Sequence, residues 1–391
     1  MKKTTFIILC LEGAILSFNV AASSALIPSI SKEFATPAFI TARIIWIYML
    51  PYGVAALFYG PLVRAFDAKN VELICMVLFS IANLLAGLAA NIQTLFVARF
   101  LMGVFGASVI PLALILIARQ INGLNRGKFV GLFFSTTFVA SLLGLFLSGI
   151  IHWRMIFFIP AILGFITCIF MYFYLPSFRP DAIGFKINYL VTFKNKSIIS
   201  LFAYIFLISM FYHAIQQWLG VYFSVQHGFS QFLISMLITL TSLSGIFGEA
   251  IGGRLSDTFG RLKTVNLGII LMIASAFVLV FKMPLLILII LMITWGVGWT
   301  FNHAGISTIL TDLPKEFLNE AASLNSSVRF ISGGLGAAGG GLLMQKSFSL
   351  GFAFFGMCLF CLLFFTRDTL SFGCKGVPHF RKSIIQGRND E

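Results

Sequence analysis

Charge is scarce in this chain. Only 10% of its 391 residues are Asp, Glu, Lys or Arg, against about 25% in an ordinary soluble protein, while 59% are hydrophobic. So few polar side chains cannot cover a globule, and most of the surface must face a medium other than water; hydrocarbon fits. The usual division of such a length into soluble domains of roughly 150 residues therefore fails. Acidic residues are scarcer still, at 13 against 27 Lys and Arg, a net charge of +14. The basic residues stand singly between apolar stretches, with no basic run interleaved with aromatics, which argues against a nucleic-acid surface. Retention of positive charge on the cytoplasmic side of a bilayer accounts for the excess. Cysteines number six, too few and too scattered for a disulfide scaffold. Cys358-x-x-Cys361 has metal or redox spacing but no second pair or nearby His, and reads as two buried thiols one helical turn apart. There is no ATP motif, no HExxH and no nucleophile elbow, so neither an enzyme nor a bound cofactor or metal is expected.

What is present is a series of apolar runs. About 20 residues cross the ~30 Å hydrocarbon layer as a helix. Such runs fall near 6–28, 40–62, 71–90, 93–118, 129–151 and 155–175, then 197–224, 231–253, 264–281, 284–311, 320–343 and 348–366. They are numbered spans 1 to 12. Met1-Lys2-Lys3, an apolar run and Ala21 to Ala25 imitate a cleavable signal. Glu12 interrupts that run, and cleavage would leave eleven spans, so it is read as span 1. The spans predict an all-α integral membrane protein: 1–176 an N-terminal six-helix bundle, 177–196 a cytoplasmic linker, 197–367 a C-terminal bundle and 368–391 a cytoplasmic tail. With the N-terminus inside, 20 of the 27 Lys and Arg lie on that side. Four (Lys32, Arg154, Lys282 and Lys346) lie opposite, and Arg43, Arg99 and Arg329 fall within or beside spans. This places both termini in the cytoplasm. Abundant Phe, 45 residues, suits lipid-facing surface or a coding bias.

The halves echo each other. Gly253 to Lys263, after span 8, and Gly60 to Lys69, after span 2, share Gly-x-Leu-x-x-x-Phe, and their first glycines are 253 − 60 = 193 residues apart. Parallel six-helix repeats are one transporter architecture. The second loop, with Gly253, Asp257, Gly260, Arg261 and Lys263, resembles the signature of the major facilitator superfamily. Arg99 with Gly103 and Gly106 resembles that family's fourth-span motif, and Trp153-Arg154-x-x-Phe157 the opening of its span 6. Trp46 and Tyr48 resemble its span-2 aromatic pair, and Asn325 to Gly336 its span 11. The resemblance covers nearly the whole chain and implies twelve helices in two pseudo-symmetric six-helix bundles. It also implies cytoplasmic loops that latch helix ends during an alternating-access cycle, here Gly60, Arg64, Asp67 and Lys69 beside the second set. The first loop departs from the pattern, with Arg64 in the acidic place and Asp67 in the glycine place. Span 5 has Gly144-Leu145 where antiporters of the family carry Gly-Pro.

Polar groups inside a bilayer cost free energy unless they face partners or water. In span 1, Glu12, Asn19 and Ser23 fall within about 20° of one line along the helix. Ser209, His213, Gln217, Gly220 and Ser224 share a face in span 7, with Gln216 at its margin. Trp295, Trp299, Asn302 and Ile306 align in span 10, with His303 beside them, and Asn325, Arg329, Ser332 and Gly336 align in span 11. In the resembled fold spans 1, 4, 7 and 10 line the central cavity. The candidate solute and ion path is accordingly Glu12, Asn19, Ser23, Arg99, His213, Gln216, Gln217, Trp299, Asn302, His303 and Arg329. Glu249 is expected to pair with a basic loop residue, and Pro51, Pro111 and Pro160 to kink their helices. The resemblance is nearest the drug–proton antiporter-like branch. It implies proton-coupled efflux of a small organic solute by a monomer in the cytoplasmic membrane. The alternatives are proton-coupled uptake of an anionic metabolite on Arg329, or a non-transporting membrane receptor or scaffold.

Overall fold

The structure is a computed structural model describing residues 3–121, 123–177, 196–311 and 315–372, all the secondary structure among them being helical. Every apolar run becomes a helix or a pair of helices. Span 1 is Lys3–Glu33, span 2 Ala38–Thr41 and Arg43–Ala65, span 3 Ala68–Gly87, and span 4 Ile92–Gly106 and Val109–Gln120. Spans 5 and 6 are Gly123–Leu147 and Met155–Tyr174; span 7 is Lys196–Gln216 and Leu219–His227. Spans 8 to 12 are Gln231–Thr258, Arg261–Val278, Leu285–Thr311, Lys315–Met344 and Phe348–Phe372. Eleven of the twelve are long and apolar enough to cross a membrane. Span 11 is the exception, because Asn325, Ser326, Ser327, Arg329 and its glycine run dilute its apolar content.

The helices overrun the apolar runs, since backbone hydrogen bonding continues into the interfacial layer. Their interruptions have local causes. Span 4 breaks at Ala107-Ser108, where Pro111 lacks the N–H that would bond the Ala107 carbonyl and its ring crowds that oxygen. Pro51 and Pro160 instead lie inside continuous helices. In span 7 the ladder changes at Gln217-Trp218, where the Trp218 amide bonds Ile215 O, three residues back. The Trp218 indole meanwhile donates to Ala337 O of span 11 at 2.9 Å.

The chain divides into two compact units. The first holds residues 1–187 and 223–236, the second 188–222 and 237–391. The linker and tail expected at 177–196 and 368–391 lie mostly outside the described residues. Residues 223–236, expected in the C-terminal bundle, group with the first unit. There Gln231 donates to Ala25 O at 2.8 Å and accepts from Ser29 at 2.7 Å, while Ser148 and Ser235 share a hydrogen bond of 2.9 Å.

In the first unit span 1 packs on spans 5 and 6, and span 3 on spans 4 and 6; in the second, span 7 packs on 11 and 12, and span 9 on 10 and 12. The repeat extends to single residues. A Cβ on Gly144 would fall on the Phe18 carbonyl oxygen, and one on Gly336 on that of Met210. These pairs are offset by 336 − 144 = 192 and 210 − 18 = 192 residues. A Cβ on Gly103 would strike Tyr48 O, and one on Gly296 Thr241 O; these are offset by 296 − 103 = 193 and 241 − 48 = 193. Glycine at each place lets two backbones touch, the usual basis of helix pairing where lipid removes the hydrophobic drive.

Large apolar side chains such as Ile162, Ile166, Ile169 and Phe173 of span 6 are exposed, as a lipid-facing surface requires. Cys358 is half-buried and Cys361 exposed, so the expectation of two buried thiols is corrected. An outward face of a membrane helix is as apolar as its inward face, and a thiol is stable on either.

Candidate functional site

In the first unit the polar stripe of span 1 meets span 3. Asn19 donates to Asn83 Oδ1, and the Asn83 amide donates to Phe79 O at 2.9 Å. Two turns toward the N-terminus of span 1, Glu12 faces Glu72 of span 3. Glu12, Asn19 and Asn83 are wholly buried and Glu72 nearly so. Ser23 bonds within its own helix, to Asn19 O at 2.8 Å. The stripe is thus occupied by partners inside its own unit. Arg99 is also enclosed, its Nε donating to Ile44 O at 3.1 Å and its guanidinium lying 4.4 Å from the Tyr48 ring centre. Its Nη1 meets no hydrogen-bond partner among the described residues. Arg99 and Gly103, one turn apart, sit on Ile44 and Tyr48, one turn apart, so this motif docks span 4 against span 2. A desolvated cation over a ring contributes about 2 kcal/mol.

The second unit holds an aromatic and basic cluster drawn from spans 7, 8, 10 and 11. Trp299 stacks on Tyr212 with ring centres 3.8 Å apart and planes 13° from parallel, and Trp295 stacks on the same ring at 5.3 Å. His213 meets Trp299 edge-on at 5.8 Å, and its Nδ1 pairs with Ser209 O at 2.7 Å. The Trp295 indole donates to Gln216 at 2.8 Å, and Asn302 donates to Tyr204 at 2.6 Å. Gln217 is half-buried at the break in span 7. Arg329 lies 5.7 Å from the Trp299 ring centre, and its Nε donates to Asn325 Oδ1 at 2.9 Å. Its Nη1 and Nη2 are covered and meet no hydrogen-bond partner among the described residues. Glu249 pairs with His303 at 2.8 Å, which corrects the expected loop cation: His303 stands directly across from it on span 10.

The loop residues fall at helix ends. Asp67 caps span 3 by accepting from the Lys69 amide at 2.8 Å and also accepts from Ser177. Lys69 Nζ donates to Tyr172 O at 2.8 Å, so the first loop ties span 3 to the end of span 6. Gly60 lies within the span-2 helix, and the Arg64 side chain lies outside the described residues. Gly253 and Asp257 lie in the last turns of span 8, with Arg261 and Lys263 opening span 9. Between them Gly260 has φ +98°, a left-handed conformation that requires glycine. On the opposite flank Glu33 pairs with Arg154 at 2.7 Å, and Arg154 also donates to Gly87 O and Ala89 O at 2.7 and 2.8 Å. One arginine thus closes the end of span 3 and joins it to spans 1 and 6. Among the described residues no three His, Cys, Asp or Glu groups converge as a metal site would require.

Twelve helical spans in two units that repeat their pairings are decisive beside the sequence comparison, in which the model of the Major Facilitator Superfamily matches residues 9–337. The chain belongs to that superfamily. The facilitator-type transporter YceJ of Bacillus subtilis is 24% identical over 338 residues, 83% of this chain and 85% of that one. The transporter phomT of Diaporthe leptostromiformis is 30% identical over 180 residues, 44% of this chain but only 30% of that longer protein. Among solved structures, a D-xylose–proton symporter superposes with a TM-score of 0.75 at 13% identity, covering 95% of this chain and 98% of that one. The facilitator fold, multi-pass insertion in a membrane and a transporter's role follow from family and structure together.

Four residues of these clusters were not among those expected: Glu72, Asn83, Tyr204 and Tyr212. Glu72 and Asn83 are eleven positions apart and so share a face of span 3, and Glu72 is an ionisable group in an apolar run. That combination was the available signal. Tyr212 looked like ordinary apolar filling, and only the packing of span 7 on span 10 reveals it as the plate beneath Trp299.

Proposed function

We propose that this facilitator is a secondary active transporter that exports a small organic solute across the cytoplasmic membrane by alternating access, driven by protons. On this reading it works as a monomer with both termini in the cytoplasm, and the solute is recognised on the Tyr212, Trp299, His213 and Arg329 face of the second unit. The observation that carries the reading is the stacked Trp299–Tyr212 pair beside a guanidinium whose two terminal nitrogens meet no acceptor among the described residues. Stacked rings suit a flat organic solute. Export is supported by the likeness of spans 1 and 4 to the drug–proton branch. The same guanidinium favours a second reading, uptake of an anionic metabolite, because two parallel N–H groups match a carboxylate.

Purified protein in liposomes tests both. A thermal-shift panel of aromatic carboxylates and aromatic cations identifies a solute. Its movement is expected to carry protons and to respond to an imposed pH gradient; transport indifferent to that gradient would sink the proton-coupled reading. For a carboxylate solute, Arg329→Gln is expected to weaken binding about tenfold or more, equivalent to about 1.4 kcal/mol, read by quenching of tryptophan fluorescence. Unchanged affinity would remove Arg329 from the solute face.

A further inference from the structure

The two polar bridges between spans 1 and 3 look alike in position and differ in chemistry. Asn19 and Asn83 bring their own N–H donors, and the Asn19 amide donates across the outer bridge to Asn83 Oδ1. Glu12 and Glu72 bring none. Their side chains are 0% and 1% exposed, and among the described residues no N–H or hydroxyl donates to any of their four carboxyl oxygens. Among the described residues the groups around them offer no cation. Cys168 of span 6 lies beside Glu12, and Cys75 on the next turn of span 3 lies beside Glu72, with its Sγ 3.6 Å from the Tyr59 hydroxyl of span 2. Cys10, on the neighbouring turn of span 1, turns to Thr136 of span 5, and span 5 presents Phe133 and Thr137 at Gly13.

An uncompensated carboxylate in so apolar a place costs several kcal/mol, and two facing each other cost more through repulsion. The cost falls sharply when one proton lies between them, because an O–H then donates to the opposing carboxylate in a strong charge-assisted bond. We propose that Glu12 and Glu72 form a proton-binding site, a carboxyl pair sharing one proton on the seam between spans 1 and 3, separate from the aromatic solute face. Resting on the proton-coupled reading above, this pair is the seat of the coupling proton. Binding forms an O–H bond to a carboxylate oxygen with a proton from water, and release returns that proton to water. Loss of the shared proton sets two like charges against each other across the seam, while the Asn19–Asn83 bridge keeps its own donors and holds.

Infrared difference spectroscopy of the full-length protein in lipid, between acid and alkaline buffer and without added solute, tests the site. The expected result is a protonated-carboxyl C=O band that shifts in D2O and bleaches in alkali. It should shift in Glu12→Gln and in Glu72→Gln, where one carboxyl remains, vanish only when both are replaced, and keep a carboxyl band in Glu72→Asp. A band unchanged in either Gln variant or left in the doubly substituted protein, or no such band in the unmodified protein, overturns the assignment. A variant-sensitive band in a protein whose transport ignores a pH gradient would leave the proton site standing and remove its coupling role.

Discussion

At the scale of single residues, buried position and chemical role separate. Arg99 carries a family-like motif and sits inside a span, which by itself points to the solute path. Its contacts are a carbonyl and a ring of span 2, so anchoring is the role the geometry gives it. Arg99→Ala would leave the Ile44 carbonyl without its donor and remove the stacked cation, at a cost of about 2–4 kcal/mol. A lower unfolding midpoint in detergent is expected, with Arg99→Lys recovering only part of it because an ammonium lacks the planar face. A variant with an unchanged midpoint but no transport would return Arg99 to the solute path. Arg329, by contrast, donates through its Nε to Asn325, and its other two nitrogens meet no hydrogen-bond partner among the described residues.

At the scale of helices, the same contacts recur with different chemistry. Gly144 on Phe18 and Gly336 on Met210 are equivalent in the repeat, yet the position equivalent to Glu12, at 12 + 192 = 204, holds Tyr204, bonded to Asn302. The packing was duplicated, and the polar groups belong to one half or the other. Gly336→Ala and Gly340→Ala would drive a methyl into the Met210 and Ala214 carbonyls, and overpacking of this kind costs about 1–3 kcal/mol. Gly339, on the same helix with nothing within 4 Å of its Cβ position, should accept Ala without loss. Thermal unfolding of the three variants checks this. Equal behaviour at 339 and 340 would disprove the close contact of spans 7 and 11.

The number and order of these helices were legible in the sequence because a bilayer imposes a simple length and polarity rule on each span separately. The helix breaks were less so. Pro111 marks one, while the break at Gln217-Trp218 has no proline and coincides with the indole's bond to span 11. The candidate site was legible only in part. Periodicity finds a face, as it did for Glu12 with Asn19 and for His213 with Ser209. It does not find what the face meets, and so the span-3 partners Glu72 and Asn83 escaped notice.

At the scale of the whole molecule, the charge distribution makes a prediction of its own. Alkaline phosphatase fused after Lys282 should be active, since the enzyme works only on the outer side, while fusions after Lys69 and Arg261 should be silent. The reverse pattern would invert the orientation inferred from the 20 to four division of basic residues. Sequence by itself determined membrane insertion, twelve spans, the repeat offset and the sidedness expectation, since each depends on composition along one segment or on comparison of two. Only the tertiary structure decided which polar groups face one another. It set Glu12 against Glu72, Arg99 over Tyr48 and Trp299 on Tyr212, because a side chain's partner lies on another helix at a distance that no local pattern records.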